Sequence, residues 1–402
     1  MKRSITIGFD ARYAMTDHEE FGSYSRLVIE AMALAAPRHT YFRSYAPLRT
    51  PHIGYEHIER LHNIETMEPD GAVWRKLRLP WRIWRVSNDL HHGNVELYHG
   101  LAEHIPMGLP HNNIRSVVTI HNPEFLYDNT LANSPEHLAN RIYISRMLHR
   151  VDRIVAVSEC VKRDITKHFL IYPEKIDVVY PGVAKRFTAE LSETYLNSVA
   201  EQYDLPERYI LSVGTQLERR SHIKIINILP LLDADVHYVI VGRNTWHTTR
   251  LMRTARELGV SDRVHIIEHV AEEDMPAIYR RAAIHINLSR YEGFATNIAE
   301  AMAVGTPVIT TRSSSMEEVA DNAAMYVNPH NRDELVGAIG TLLNDNEVRG
   351  ALITLGRRQA SHFRPEVMAY NLINCYRRLD VDIRGYERVK RTNLHYAQIL
   401  KP

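Results

Sequence analysis

Short runs of β-branched and other apolar residues recur along this chain, and stretches long enough for a helix separate them. In the first half these runs occupy residues 5–9, 116–120, 153–157 and 176–180. In the second half they occupy residues 209–213, 236–241, 263–267, 284–287 and 307–310. Such runs are typical of buried parallel strands whose two sheet faces are covered by helices. The pattern therefore predicts an α/β protein with a doubly wound parallel sheet in each half.

The chain length and one segment without strand pattern indicate where the domains divide. A chain of 402 residues exceeds what one hydrophobic core usually supports, so we expect two domains. Residues 181–207 contain a Pro-Gly pair and mixed charges, and they show no strand pattern. We predict an N-terminal domain at 1–187, a linker at 188–207, a C-terminal domain at 208–378 and a tail at 379–402 that packs back on the first domain. Ligands of such sheets bind at the carboxyl ends of the strands, so a cleft between the domains is the expected site.

Composition limits the class of partner. The chain is 45% hydrophobic and 24% charged, with a formal net charge of +1. A nucleic-acid-binding protein usually has a strong basic excess, so we expect a small-molecule ligand and no nucleic acid. Cys160 and Cys375 are too few for a disulfide framework, and neither a signal peptide nor a transmembrane run is evident. These features favour a cytoplasmic protein.

Two glutamates, Glu292 and Glu300, lie eight positions apart where the predicted strand 284–287 leads into a helix. Isolated glutamates are usually ordinary surface residues. In this context, however, both carboxylates can face one cleft and accept hydrogen bonds from hydroxyl groups. The N–H groups at the start of a helix lack intrahelical partners and can hold a diphosphate at the positive end of the helix dipole. Here those groups belong to Ala295, Thr296, Asn297 and Ile298.

Two arginines, Arg219 and Arg220, follow the predicted strand 209–213 and lie five and six positions after Gly214. Adjacent arginines are most often solvated residues of a turn. The planar guanidinium group nevertheless matches phosphate oxygens with two parallel hydrogen bonds. The spacing from Gly214 favours a role of this pair in binding a diphosphate.

Taken in order, these motifs resemble those of glycosyltransferase family 4, a family of retaining enzymes with the GT-B fold, in which two Rossmann-like domains face a cleft. The resemblance covers nearly the whole chain. It implies that Arg219 and Arg220 neutralise the diphosphate of a nucleoside diphosphate sugar. It also implies that Glu292 contacts the transferred sugar, that Glu300 accepts hydrogen bonds from the ribose, and that the amides between them hold phosphate.

The chain departs from the family pattern at several positions. Family members often have the sequence E-G-F-G-L-P beginning at the first glutamate, whereas residues 295–297 are Ala-Thr-Asn here in place of G-L-P, so the sugar subsite can differ in shape. Arg220 stands in place of a lysine. The segment 263–270, which ends at Val270, resembles the base-binding strand and loop, but Glu268 replaces a common glycine. The choice among GDP, UDP and ADP therefore stays open.

The first half carries further residues that the resemblance links to the reaction. Gly22 precedes a helical pattern where the family has a glycine loop near the donor phosphates, although a glycine that simply begins a helix is nearly as common. Residues 119–122 resemble the family's T-I-H-D strand end, which implies that His121 lies near the reacting sugar; the aspartate is replaced by Asn122. Ser158 and the serine-rich segment 313–315 are each expected to cap a helix.

The histidines at 91, 92 and 99 suggest a metal cluster only superficially, because they lack a carboxylate or thiolate at ligand spacing. We expect no bound metal and no other cofactor. A different feature is the segment 73–85, which holds three of the four tryptophans and five basic residues without an acidic one. This segment could rest on an anionic membrane surface, or it could be a buried amphipathic helix with solvated arginines. Pro80 is expected to interrupt a helix there.

Together, these features predict a retaining glycosyltransferase that moves a hexose, with mannose favoured, from a GDP- or UDP-type sugar donor. The acceptor would be a hydroxyl group of a glycan or lipid-linked saccharide in surface polysaccharide biosynthesis. The enzyme would act in the cytoplasm, and peripheral contact with the inner face of the cell membrane stays open. The alternatives are a sugar-nucleotide epimerase or a phosphorylase of similar fold, or a non-catalytic scaffold that binds a nucleotide.

Overall fold

The computed structural model describes residues 5–16, 20–36, 40–46, 54–123 and 135–381. These residues form two compact units. The first unit contains the described residues up to Gly182 together with those from Pro365 onward, and the second unit is Val183–Arg364. Each unit is built around its own parallel sheet.

The sheet of the first unit has seven described strands in the order β3-β2-β1-β4-β5-β6-β7, and all neighbouring strands are parallel. They are β1 (Ile5–Asp10), β2 (Thr40–Tyr45), β3 (Ile64–Met67), β4 (Leu97–Gly100), β5 (Arg115–Ile120), β6 (Arg153–Ala156) and β7 (Ile176–Val178). The sequence pattern predicted β1, β5, β6 and β7 to within two residues of their ends. It missed the other three because their polar residues break the apolar run.

The α-helices of the first unit surround this sheet. They are α1 (Arg12–Thr16), α2 (Glu20–Ala35), α3 (Glu56–Glu59), α4 (Ala72–Lys76), α5 (Arg78–Pro80), α6 (Val86–His92), α7 (Pro135–Arg150), α8 (Glu159–Phe169) and, from the end of the chain, α17 (Pro365–Arg377). Helix α17 packs on α2, and its buried Met368 and Tyr376 join the core that contains Val28 and Phe9. Ser158 caps α8 as predicted, since its Oγ accepts a hydrogen bond from the Val161 N–H at 3.1 Å.

The sheet of the second unit has six described strands in the order β10-β9-β8-β11-β12-β13, again all parallel. They are β8 (Tyr209–Val213), β9 (His237–Val241), β10 (Val264–Ile267), β11 (Ile284–Asn287), β12 (Val308–Thr310) and β13 (Ala324–Tyr326). The α-helices around it are α9 (Glu193–Gln202), α10 (His222–Ile228), α11 (Trp246–Glu257), α12 (Met275–Arg281), α13 (Thr296–Val304), α14 (Met316–Ala320), α15 (Arg332–Asn344) and α16 (Asn346–Ala360). All five strands predicted in this half are present, and only β13 was missed.

The structure places the unit boundaries differently from the predicted domain boundaries. Residues 188–207, predicted as a linker, belong to the second unit, because α9 in this segment packs on α12. The second unit ends at Arg364 rather than 378, because the apolar face of α17 is buried in the core of the first unit. Of the predicted tail, residues 382–402 lie outside the described residues, while Leu379 and Val381 pack against the first core.

Candidate active site

Glu292 lies in the loop after β11, and its carboxylate is ion-paired with two arginines of a different loop. Arg220 Nη1 donates a hydrogen bond to Oε1 of Glu292, and Arg219 Nη1 lies 3.5 Å from Oε2. The arginines belong to the 3-10 turn Glu218–Arg220, which follows β8, the neighbour of β11 in the sheet. Three residues singled out in the sequence are thus brought together.

The electrostatic setting keeps Glu292 ionised. Burial by itself would raise the pKa of Glu292, but the nearby charges of Arg220 and Arg219 outweigh burial and hold its pKa below the ordinary value. The Nε atom of Arg220 makes no hydrogen bond with the described residues.

Gly214, the residue after β8, allows Arg220 to lie close to the backbone. Its φ angle is +136°, and a Cβ atom at this position would lie only 2.6 Å from Cζ of Arg220. A residue with a side chain would meet both the strained backbone angle and the guanidinium group. Gly214 therefore positions Arg220, while its predicted contact with the donor stays a prediction.

Two serines fix the backbone of Glu292. Ser314 Oγ accepts a hydrogen bond from the Glu292 N–H at 2.9 Å, and Ser315 Oγ donates one to the Glu292 carbonyl at 2.9 Å. The segment 313–315 was expected to cap a helix, but the side chain of Ser315 makes no capping bond at the start of α14. That prediction was wrong because the hydroxyl of Ser315 is bonded to the loop that carries Glu292.

Helix α13 begins directly after Ala295, which has a left-handed φ of +58°. The prediction that four successive amides are unpaired here was wrong at Ile298, because its N–H donates to the Ala295 carbonyl at 3.0 Å. The N–H groups of Ala295, Thr296 and Asn297 make no backbone hydrogen bond with the described residues. Three amides, rather than four, are therefore suited to bind an anion.

The side chain of Asn297 has a structural role that the sequence did not reveal. Its Oδ1 accepts a hydrogen bond from Nδ2 of Asn287 at 3.0 Å, and its Nδ2 donates to the Val213 carbonyl at 2.8 Å. These bonds tie the first turn of α13 to the ends of β11 and β8. The start of the helix is consequently held at the same sheet edge as the arginine turn.

Glu300 lies in the second turn of α13, as predicted, and accepts a hydrogen bond from a buried tyrosine. Tyr279 Oη on α12 donates to Oε2 of Glu300 at 3.0 Å. Burial and the charge of Glu300 raise the pKa of Tyr279 well above its ordinary value, so the phenol stays a donor. This bond orients the Glu300 carboxylate. The contact of Glu300 with a ribose stays a prediction.

Val270 lies in the loop between β10 and α12, and this loop is tied to α9. Asp274 accepts hydrogen bonds from Tyr195 Oη at 2.6 Å and from Tyr203 Oη at 2.8 Å, and Tyr203 Oη accepts one from the Ala271 N–H at 3.2 Å. The segment predicted as a linker thus supports the loop predicted to bind the base.

His121, in the first unit, follows β5 directly and is buried. Its Nε2 donates a hydrogen bond to the Leu101 carbonyl at 2.8 Å. The ring packs edge-on against Phe21 and Tyr24, with centroid separations of 5.0 and 4.4 Å. Burial lowers the pKa of His121 to about 4, although the bond to Leu101 opposes this change. The ring is therefore neutral at pH 7 and is held in one orientation.

Glu103, which follows β4, holds the segment that carries His121, and the sequence did not reveal this contact. Its Oε1 accepts hydrogen bonds from the backbone N–H groups of His121 at 3.1 Å and Asn122 at 3.2 Å. Burial raises the pKa of Glu103, although these two bonds oppose the rise. No periodicity or motif in the sequence identifies this residue, because the amides that it binds follow a different strand, β5.

Two further predictions in the first unit can be compared with the structure. Gly22 lies in the first turn of α2 rather than in a loop before a helix, so its expected setting was wrong, and its contact with donor phosphates stays a prediction. His99 is a core residue: Nδ1 is bonded to Tyr376 Oη at 2.6 Å and Nε2 to Thr119 Oγ1 at 2.8 Å.

Comparison with known proteins gives the family. Residues 32–186 match the family model described as Glycosyltransferase Family 4, and residues 197–359 match the model described as Glycosyl transferases group 1. The two matches cover most of the chain and include His121, Arg219, Arg220 and Glu292. The chain belongs to glycosyltransferase family 4. The resemblance read from the motifs is thereby confirmed, and the protein is a glycosyltransferase.

Individual relatives of this glycosyltransferase agree with that assignment. The O-antigen chain mannosyltransferase B of Escherichia coli is 26% identical over 294 residues, which are 70% of this chain and 74% of that protein. The MMP alpha-(1->4)-mannosyltransferase of Mycolicibacterium hassiacum is 27% identical over 291 residues, which are 69% and 67% of the two chains.

A solved structure confirms the fold. The crystal structure of Anabaena Alr3699/HepE in complex with UDP and glucose matches with a TM-score of 0.72 and 16% identity, over 93% of this chain and 100% of that one. The two parallel sheets described above are those of the GT-B fold, as the resemblance implied.

Proposed function

We propose that this glycosyltransferase moves a hexose, with mannose favoured, from a GDP- or UDP-type sugar donor to a hydroxyl group of a glycan or lipid-linked saccharide, with retention at the anomeric carbon. The observation that carries the proposal is the pair of half-buried arginines held by the buried carboxylate of Glu292, at a sheet edge where parallel sheets bind ligands. The names of the two mannosyltransferases support the choice of mannose, and the UDP complex of HepE supports a nucleotide donor.

In the proposed reaction, the bond between the anomeric carbon and the diphosphate oxygen breaks. The oxygen of the acceptor hydroxyl forms the new bond on the same face, and its proton passes to the departing diphosphate. Negative charge develops on that leaving group, and Arg219 and Arg220 stabilise it. Because Glu292 already holds both guanidinium groups in place, little reorganisation accompanies the reaction.

The proposal assigns the neutralisation of the diphosphate to arginines and not to a protein-bound metal. Transfer should then proceed at the same rate in excess chelator as in Mg²⁺, in a fixed-time assay with the purified full chain. A rate that collapses in chelator and recovers with a divalent cation would show that a metal ion shares this role.

The proposed activity is tested with candidate donors. Calorimetric titration with GDP, UDP and ADP identifies the nucleotide, and incubation with the matching sugar donors follows. A transferase should bind one nucleotide preferentially and release the sugar slowly without an acceptor. Isomerisation of the donor sugar would indicate an epimerase. A reaction that depends on inorganic phosphate would indicate a phosphorylase, and nucleotide binding without turnover would indicate a scaffold. NMR of the product anomeric proton decides between retention and inversion.

We also propose that the segment 73–85 contacts an anionic membrane surface, which suits a lipid-linked acceptor. Val73, Leu79 and Trp84 are 64%, 56% and 59% exposed, an unusual arrangement for large apolar side chains. Trp81, by contrast, is buried, and its Nε1 donates to Asp89 at 2.7 Å. The segment therefore combines the two alternatives: one tryptophan anchors it in the core and another faces outward.

The charges of this segment fit the same proposal. Arg75, Lys76 and Arg78 are exposed, and none of them forms an ion pair with an acidic group of the described residues. Exposed apolar groups beside unpaired cations are typical of surfaces that lie in the headgroup region of anionic bilayers.

Pro80 does not break the helical backbone as predicted. The short helix α5 ends at Pro80, and the chain continues directly as a π-helical turn, Trp81–Arg85. No helix of the described ranges is long and apolar enough to cross a membrane.

A further inference from the structure

A pocket of about 410 Å³ lies in the second unit, away from the loop that carries Glu292. Its walls come from α9, the end of α12, the chain between α13 and β12, and α16. Ala282 and Pro307, which line the pocket, come just before β11 and β12, whereas Glu292 follows the carboxyl end of β11. The pocket therefore lies at the opposite edge of the sheet from the candidate active site.

Three arginines from two helices line this pocket. Arg280 and Arg281 end α12, and Arg349 comes from α16. None of the three forms an ion pair with an acidic group of the residues that the structure describes. Glu193, which also lines the pocket, is exposed at the start of α9. Cations that face one concave surface repel one another, so this arrangement favours an anion among them.

The helix dipole accounts for only part of this arrangement. Basic residues at the end of a helix interact favourably with its negative end, which gives Arg280 and Arg281 an ordinary reason to end α12. Arg349 has no such reason, because it lies in the first turn of α16, where the dipole disfavours a cation. Its side chain makes no hydrogen bond with the described part of the chain. The position of Arg349 is therefore explained neither by its own helix nor by an acidic partner.

Two of the three guanidinium groups are held in place by neighbouring elements. Arg280 Nη1 donates a hydrogen bond at 3.0 Å to the carbonyl of Val304, the last residue of α13. Arg281 Nη2 donates to Oδ1 of Asn197 on α9. Side chains that are already ordered lose little conformational entropy when a ligand binds. The pocket is thus prepared for an anion before one arrives.

A fourth arginine adds positive charge next to the pocket. Gly305, which lines it, has a φ of +89°, and a Cβ atom there would lie 2.7 Å from Nε of Arg357. Arg357 Nη2 also lies 3.4 Å from the Val304 carbonyl. Glycine at 305 therefore lets the guanidinium group of Arg357 approach the wall of the pocket. The positive charge around the pocket exceeds the single negative charge of Glu193.

The shape and the lining of the pocket indicate the class of anion. A volume of about 410 Å³ lies within the range of small-molecule sites and exceeds what a bare inorganic ion fills. Guanidinium groups match phosphate oxygens with paired hydrogen bonds. The side chains of Leu196 and Ile353 add apolar wall beside the charges. Charged and apolar surfaces together suit a phosphate group that carries a compact organic part.

We propose that Arg280, Arg281 and Arg349 bind the phosphate group of a small phosphorylated metabolite, whose organic part covers Leu196 and Ile353. The inference goes beyond the proposed function, because this pocket is separate from the sheet edge that is proposed to bind the sugar donor. The guanidinium groups donate hydrogen bonds to the phosphate oxygens, and no bond is made or broken in the ligand.

The test is calorimetric titration of the full chain with mannose 6-phosphate, glucose 6-phosphate, fructose 6-phosphate and inorganic phosphate. Arg349→Gln should weaken the Kd of the best sugar phosphate about tenfold or more, because it removes charge-assisted hydrogen bonds. Arg349→Lys, which keeps the charge but loses the paired geometry, should weaken it less. Arg253→Gln, at an arginine of α11 that is 66% exposed, is the matched control and should bind as wild type.

A variant of the candidate active site and the free ion complete the experiment. Arg219→Ala should leave the Kd of the sugar phosphate unchanged, which separates this pocket from the donor site. Inorganic phosphate should bind several-fold more weakly than the best sugar phosphate, since it leaves the apolar wall uncovered. The inference is wrong if none of the sugar phosphates binds, if Arg349→Gln binds as wild type, if Arg219→Ala abolishes binding, or if inorganic phosphate binds as tightly as the sugar phosphates.

Discussion

The buried carboxylate of Glu292 forms an ion pair with half-buried Arg220, and this pair joins the loops after β11 and β8. These strands are neighbours in the parallel sheet, so their carboxyl ends lie at the same edge although 72 positions separate the two residues. The pair explains why a carboxylate can be buried here, since the arginine charges offset its loss of hydration. It also orders the guanidinium groups before any ligand arrives.

Removal of either side of this ion-pair cluster should abolish most of the transfer activity. We expect Arg219→Ala and Glu292→Gln each to reduce sugar transfer at least about a hundredfold, because each removes charge-assisted contacts at the reacting group. Arg219→Ala should also weaken nucleoside diphosphate binding in calorimetry. The exposed ion pair Arg253–Glu257, at 3.9 Å in the same unit, provides the matched controls Arg253→Ala and Glu257→Gln. Near-wild-type turnover in either site variant would refute the assignment.

The contribution of Glu292 to stability should depend on pH. Its pKa is held below the ordinary value in the folded protein, so the charged form stabilises the fold at pH values above the ordinary carboxyl pKa. This stabilisation should disappear as the pH falls through the lowered pKa. At pH 7 the free energy of unfolding should be about 3–5 kcal/mol lower in Glu292→Gln than in wild type. Urea unfolding between pH 7 and pH 3 measures the difference, and a constant difference across that range would contradict the explanation.

Gly214→Ala should reduce nucleotide affinity by displacing Arg220. The new Cβ would lie 2.6 Å from the guanidinium carbon, at a backbone φ of +136° that alanine rarely adopts. We expect at least a tenfold weaker Kd for the preferred nucleoside diphosphate and a lower thermal midpoint. Gly337→Ala is the control, because a Cβ there meets nothing within 4 Å and should stabilise α15 by about 0.5–1 kcal/mol. An unchanged nucleotide affinity in Gly214→Ala would show that glycine at this position does not position Arg220 for nucleotide binding.

Membrane contact should depend on the exposed residues of the segment 73–85. The double change Leu79→Ala, Trp84→Ala should reduce co-sedimentation with phosphatidylglycerol vesicles several-fold, since it removes the apolar groups that enter the headgroup region. Binding of the wild type should fall with rising salt, because the lysine and arginines act through screened charge. Trp246→Ala, at a tryptophan that is 74% exposed in the second unit, is the control. Equal sedimentation of all three proteins would exclude this surface.

The sequence by itself determined the architecture of the second unit and the family. The strands β8, β9, β10 and β12 could be predicted because each is a mainly apolar run, as expected of a strand buried on both faces. The strand β11 is also buried, but two of its four residues are polar. The positions of Glu292 and Glu300 around the start of α13 could be predicted for a similar reason, since the strand, loop and helix signals are local. The strand β2 could not, because Arg43 and Ser44 interrupt its apolar residues and only its neighbours β1 and β3 stabilise it.

Only the tertiary structure decided which groups share a site. The pairing of Glu292 with Arg219 and Arg220 depends on the order of strands within the sheet, which no local pattern encodes. Helix α9 looked like a linker because its sequence is polar, yet the hydroxyls of Tyr195 in this helix and of Tyr203 directly after it hold Asp274. Local periodicity can predict a helix or a strand because the pattern of apolar residues within one segment reflects which of its faces is buried. The burial and charge of a side chain depend instead on neighbours that are distant in the chain, and these are set only when the sheets assemble.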